Sequence, residues 1–470
     1  MSMFVAQGLQ PFLSILLVFI IGRTLGPEIF GKYTIIFQIF SIFQITCSLG
    51  LKTLLTREVA SQKENVHKYL VNGVLLSIPA SILNIGVVAL ALIFLNYESD
   101  IVIGTYIIAV SLIASSLTDI FSGILAGFEE IKKLAYAWII FLVLKTFISI
   151  GVLLAGYGLL ALIIVHVATK FIQSAIVYLY IFKLIGKSTL EIDIPLCKKL
   201  IRMGWGLALL MVSVSLFWRI DAIMLSKMVS HEMVGNFGAA YKLFHYMLMT
   251  VRSFSLAFFP MISSMYADRE KDFRKACRKA VRYLTLLVLP VAIILTFLSP
   301  QLIPILWGDK FDSAAVTQVL QVMCWSLIPF GITEVFGAAL IASRNQTIHV
   351  VLNVIALVTK ALLNYYLTLK YGIVGPAIST IIALSILLSA QLPFVIPRLL
   401  SLKIQTTFTL ILRVAAAIIF MIIPLYFLKN YHFLIGMIIS GAIYIALVFV
   451  LKLFSNEDKA YFKRVIKRTA

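Results

Sequence analysis

The chain has 470 residues, of which 61% are hydrophobic and only 13% charged. A soluble domain is about half apolar and about a quarter charged, so this composition excludes a chain that folds in water alone and calls for lipid. The formal net charge of +20 does not mark a nucleic-acid binder, because the cations sit in one set of loops.

Apolar runs near the length that one helix needs to cross a bilayer recur along the whole chain. They fall near 4–22, 32–51, 69–95, 101–125, 134–154, 159–182, 204–226, 234–262, 281–298, 313–340, 348–369, 376–396, 407–428 and 434–451. The expected fold is an all-α polytopic membrane protein with about 14 transmembrane helices. A barrel would show short alternating segments instead. The first run is too long for a cleaved signal and has no small-residue cleavage site.

The loops alternate. One set is basic: Lys52 to Lys68, Lys132 and Lys133, Lys183 to Arg202, Arg269 to Lys279, Arg344, Arg398 and Lys403, and the tail from Lys452. The other set is short and poor in cations: 96–100, 155–158, 299–312, 370–375 and 429–433. Cytoplasmic loops carry the excess of Lys and Arg. The pattern therefore places both termini in the cytoplasm, with the cations beside anionic headgroups. The weakly charged loops have no room for a catalytic domain, and no GxxxxGK[ST] phosphate loop occurs, so ATP is not a direct driver. Cys47, Cys197, Cys277 and Cys324 are far apart; they read as packing residues, with no disulfide framework and no metal knuckle.

The chain repeats itself. PEIFGKY (27–33) and HEMVGNF (231–237) share the pattern Glu, two apolar residues, Gly, polar, aromatic, at a shift of 204. LVLKTF with Lys145 and LVTKAL with Lys360 are offset by 215, and each is followed by a Tyr-Gly turn, at 157 and 371. Two motif pairs in one order at nearly one shift predict two six-helix bundles, 1–200 and 201–400, in parallel orientation. Residues 401–470 add two helices and the basic tail. The glycines also suit a tight turn between adjacent helices.

GRTLGPEIFGKYTIIFQIF…GLKTLLTREVA (22–60), FWRIDAIMLSKMVSHEMVGNFGAAYKL (217–243), FFPMISSMYAD (258–268) and GFEEIKKLAY (127–136) resemble the polysaccharide biosynthesis (O-antigen and capsule repeat-unit) flippases. These belong to the multidrug, oligosaccharidyl-lipid and polysaccharide exporter superfamily. The chain departs from them in starting almost within its first span, without the basic leader many of them carry. The resemblance implies a flippase of the bacterial cytoplasmic (inner) membrane. Its substrate would be an undecaprenyl-pyrophosphate-linked oligosaccharide, moved from inner to outer leaflet by alternating access. No cofactor is expected; an H⁺ or Na⁺ gradient, or removal of product outside, would give direction. Membrane lipids, a polysaccharide polymerase and glycosyltransferases are the implied partners, and nucleic acid is not one.

Ionisable side chains inside spans are costly and mark functional positions. His166, Lys170 and Gln173 share one helical face; Lys242, His245 and Arg252 share another; His349, Asn353, Lys360 and Asn364 share a third. Such stripes predict a hydrated cavity. Lys145, Lys170, Arg219, Lys242, Arg252, Lys360 and Arg413 outnumber Asp119, Asp221 and Glu334, which suits a pyrophosphate and disfavours a drug-cation exporter. Lys145, Lys170, Arg219, Lys242, Arg252 and Lys360 are the expected substrate-binding cations. Asp221 and Glu334 are the ion-coupling candidates, and His166, His245, Asn353 and Asn364 the polar lining.

Each has a rival structural reading. Lys145, Lys170 and Arg413 could snorkel from span ends. Arg219 and Asp221, two apart, would pair with neighbouring helices, and the histidines could be packed residues. Glu334 could serve as a lysine's structural partner, and Asp119 as a helix-end contact. The rival functions are a lipid II flippase, an ion-coupled drug antiporter and an integral-membrane polymerase.

Overall fold

The computed structural model describes the backbone of residues 2–47, 50–187, 190–268, 270–343, 345–399, 404–428, 433–451 and 453. It describes the side chains there except at 2–11, 204–207, 256–257, 259–268, 270–272, 274–275, 396–399, 404–411 and 433. Gln7 and Gln10, the loop cations Arg269, Lys271, Arg274, Lys275, Arg344, Arg398 and Lys403, and the tail cations from Lys452 lie outside the described side chains.

The described chain is helical, without a strand. In order the helices are α1 (Ser2–Cys47), α2 (Leu51–Ser61), α3 (Val66–Leu95), α4 (Ser99–Gly127), α5 (Ile131–Leu154), α6 (Leu159–Ile185), α7 (Ile194–Met228) and α8 (His231–Asp268). Then follow α9 (Glu270–Trp307), α10 (Ser313–Cys324), α11 (Leu327–Ala342), α12 (Gln346–Tyr371), α13 (Gly375–Leu399), α14 (Ile404–Leu428) and α15 (Phe433–Val450). Each predicted apolar run is helical over most of its length.

Three departures have local causes. The first two runs form one helix with a break at Gly26, whose φ of 79° and ψ of 173° lie outside helical space. A side chain is strained there, and Pro27 disfavours helix at the residue before it. The run 313–340 is two helices, because Pro329 has no N–H to give the Trp325 carbonyl, and its ring would clash with that carbonyl. The predicted loop 299–312 is helical as far as Trp307, continuing α9 through Pro290, Pro300 and Pro304; a spanning helix tolerates proline where neighbouring groups satisfy the freed carbonyls.

The chain forms two compact units, which do not end where the sequence repeat does. The first holds residues 1–239, 307–312 and 353–376; the second holds 240–306, 313–352 and 377–470. In the first, Leu51, Leu55, Tyr69, Ile124, Val177 and Ile181 belong to one buried cluster. Small hydroxyl residues let its helices approach closely, as where Ser81 Oγ and Ser116 Oγ meet at 2.7 Å. Leu83, Ile93 and Phe94 on α3 are exposed, as lipid-facing side chains are. In the second unit α9, α14 and α15 share a core around Leu298, Met421 and Leu425. There Tyr444 Oη donates to the Leu286 carbonyl at 2.7 Å.

Candidate functional site

Within the first unit, α6 carries His166, Lys170 and Gln173 on the expected face, all buried. Lys170 Nζ donates to Gln173 Oε1 at 3.1 Å, a contact that i, i+3 spacing permits. The same ammonium lies 4.5 Å from the Phe141 ring centroid and 5.8 Å from that of Trp138. Aromatic faces attract cations, but they carry no net charge. Lys145, half-buried on α5, stands 5.4 Å from the Phe37 ring. The His166 ring meets Phe37, Phe40 and Phe141 at 5.1, 5.4 and 6.3 Å. Among the described residues neither of its nitrogens has a hydrogen-bond partner, nor do the buried hydroxyls of Thr146 and Ser115. Buried polar groups are normally satisfied, so His166 offers unused hydrogen-bonding capacity beside two cations.

A second cluster in the same unit is complete. Lys360 Nζ donates to Asp221 Oδ2 at 2.9 Å and to the Phe217 carbonyl at 2.6 Å, and Asn364 Nδ2 donates to Asp221 Oδ1 at 2.7 Å. Lys360 is 0% and Asp221 1% exposed, with the Phe217 and Trp218 rings at 4.3 and 5.4 Å from the ammonium. Asp221 thus pairs with another helix, as its two-residue offset from Arg219 suggests, and its partner is one of the expected substrate cations. Arg219 and Asn353 are half-buried in this unit. Asp119 on α4 meets Lys52 at 3.8 Å, fitting the helix-end reading.

The second unit holds the rest. Lys242, His245 and Glu334 are half-buried and Arg252 is exposed. The His245 ring stacks on Tyr241, centroids 5.8 Å apart.

The repeated PEIFGKY and HEMVGNF segments come together in the first unit. A Cβ on Gly31 would overlap the His231 carbonyl, and one on Gly235 would overlap the Pro27 carbonyl. The contact is reciprocal, so each motif glycine is required by the other motif's backbone. Beside the crossing, Lys32 Nζ lies 2.9 Å from Glu98 Oε2 and 3.1 Å from Asp100 Oδ2, with His231 Nδ1 3.5 Å from Glu98 Oε1. The hydrogen bond from Lys32 holds the Glu98 carboxyl below its ordinary range.

Sequence reading missed two features. The aromatic walls of the Lys170 cluster, Trp138 and Phe141, carried no signal in the sequence. Asn72, within an apolar run, joins α3 to the connection between α6 and α7. Its Nδ2 donates to the carbonyls of Lys68 and Glu191 at 2.8 and 2.9 Å. Its Oδ1 accepts from the Asp193 N–H at 2.9 Å and the Cys197 thiol at 3.3 Å.

The helices, their apolar outer faces and the buried lysines define a multi-pass membrane protein. The chain matches the family described as polysaccharide biosynthesis protein over residues 20–316, and it belongs to that family. It is 22% identical to the capsular polysaccharide biosynthesis protein CapF of Staphylococcus aureus over 406 residues, 81% of this chain and 94% of that protein. It is 27% identical over 226 residues to the uncharacterised membrane protein MJ1068 of Methanocaldococcus jannaschii, a match that spans 45% of this chain but only 42% of that relative. Its fold is similar to that of the lipid II flippase MurJ in an inward closed conformation, with a TM-score of 0.74, 16% identity, and 95% and 98% of the two chains covered.

Proposed function

We propose that the protein is a flippase that carries an undecaprenyl-pyrophosphate-linked oligosaccharide repeat unit from the inner to the outer leaflet of a bacterial cytoplasmic membrane by alternating access, with both termini in the cytoplasm. One observation carries this reading: the buried Lys170 ammonium is met by an amide oxygen and two aromatic faces, with no carboxylate within 4 Å of it among the described residues. A cation in that setting gains most from an anionic ligand. Lys145 stands nearby on the adjacent helix as a second donor. Family membership supports the polysaccharide side of the reading, and the repeat supports two parallel bundles rocking against each other.

Lys360 is assigned a different role from the one its sequence position suggests: it neutralises Asp221 and ties α12 to α7. Arg219, Lys242 and Arg252 remain the further proposed headgroup contacts. Glu334 is the proposed ion-coupling acid, because Asp221 is already engaged.

The test is export of surface polysaccharide in cells whose own gene is replaced by Lys145→Ala, Lys170→Ala or the double variant, at matched protein levels. Strong loss in the double variant is expected; full export would remove this cluster from the mechanism. A lipid II flippase is the second reading, favoured by the extent of the fold likeness. Rescue of a strain depleted of lipid II flipping, with no rescue of a capsule-deficient strain, would select it.

A further inference from the structure

The connection between α6 and α7 is held in an unusual way. Its backbone is extended at Asp193, with φ −123° and ψ 94°, and Asn72 grips it through the Glu191 carbonyl and the Asp193 N–H. Asp193 then caps α7 by accepting from the Leu196 N–H at 2.9 Å, and Lys68 meets Glu191 at 3.4 Å. In an extended chain successive side chains point to opposite sides. Leu190, Ile192 and Ile194 accordingly face away from the grip, 88%, 63% and 62% exposed. The first turns of α7 continue the pattern. Cys197 and Leu200 are buried, while Ile194, Lys198, Ile201 and Arg202 are exposed along one face. A shallow cleft lined by Lys68 and residues 190–195 lies along the strip.

Open water is a poor medium for four exposed large aliphatic side chains interleaved with cations, and the strip's depth points elsewhere. Asn72 lies 23 residues before the far end of α3 at Leu95, about 34 Å at 1.5 Å per residue. The hydrocarbon core of a bilayer is about 30 Å thick, with headgroup zones beyond it. The grip therefore holds the strip at headgroup level. There apolar side chains can reach the acyl boundary, and Lys or Arg can meet anionic phosphates.

We propose that residues 190–202 form a lipid-seated anchor on the basic side of the membrane. Leu190, Ile192, Ile194 and Ile201 enter the interfacial zone, and Lys198 and Arg202 bind anionic phospholipid headgroups. The anchor rests on the chain spanning a bilayer and is independent of the transported substrate.

The test uses the full chain with Leu190→Cys, Glu191→Cys or Ile192→Cys, each spin-labelled and reconstituted in nanodiscs. The unsubstituted protein, whose four cysteines are buried, supplies the background. In discs containing phosphatidylglycerol, labels at 190 and 192 should be relaxed more by oxygen than by an aqueous nickel complex. The label at 191 should show the reverse. Lys198→Gln with Arg202→Gln, or discs of phosphatidylcholine alone, should shift labels 190 and 192 toward nickel accessibility. Equal nickel access at all three sites would overturn the anchor. Unchanged depth in the charge variant would overturn the headgroup assignment. Burial of 190 and 192 from both reagents only when other membrane proteins are present would replace the lipid with a protein partner.

Discussion

Two lysines are buried in the same compact unit, and their surroundings differ in one respect. Lys360 has a carboxylate, a carbonyl and an amide-braced geometry around it, so its charge is cancelled within the protein. Lys170 touches an amide oxygen and two rings, and the carboxylate whose charge reaches it, Asp119, makes its ion pair with Lys52 instead. A buried ion pair breaks badly when one partner is removed, because the other is left uncompensated. A buried cation without a carboxylate in contact costs folding energy and gains when an anion arrives. On this comparison the first lysine belongs to the architecture, and the second is the one proposed to meet the cargo.

The sharpest way to break the comparison is to remove Lys360. Lys360→Ala leaves Asp221 buried without its counter-ion and should destabilise the protein by about 3–5 kcal/mol, seen as a lowered melting temperature in detergent. Asp221→Ala should do the same, while replacing both with leucine should recover most of the loss. Single variants that melt like the parent would show that the pair does not hold the fold.

Next comes the glycine crossing, where Gly31→Ala or Gly235→Ala forces two backbones apart. Overpacking of this kind costs about 1–3 kcal/mol, read in the same melting assay.

Lys170→Gln should behave in the opposite way to Lys360→Ala. Its melting temperature should hold or rise, while export falls about tenfold, corresponding to the ~1.5 kcal/mol at the low end for a hydrogen bond to a charged group. Loss of stability without a specific loss of export would place Lys170 with Lys360.

The smallest effect concerns Glu98. Its lowered carboxyl value means that the pairing with Lys32 stabilises fully above the ordinary carboxylate range near pH 4.3 and is lost as pH falls through the lowered value. Glu98→Gln should cost at most about 1 kcal/mol, as for exposed pairs, and should flatten that acid limb in a melting-against-pH series.

Much of the helical frame was legible because spans are long and loops alternate in charge. The motif glycines were legible as a repeat, and the face shared by His166, Lys170 and Gln173 follows from helical spacing alone. The Lys360–Asp221 pairing was not, since the two lie 139 residues apart and only packing selects among several acids and bases. The break between α10 and α11 was hidden within an apolar run, although Pro329 was there to signal it. Asn72 could not be singled out at all: its four bonds draw on four residues, and three of them lie on the connection and the first turn of α7, which only folding brings to α3.

The crossing of Gly31 and Gly235 joins main chain to main chain and offers nothing that titrates and nothing that dissolved ions can screen. On the proposed topology it faces the external medium, so brine or acid there can loosen the neighbouring Lys32 pairing while this peptide-on-peptide seam holds unchanged.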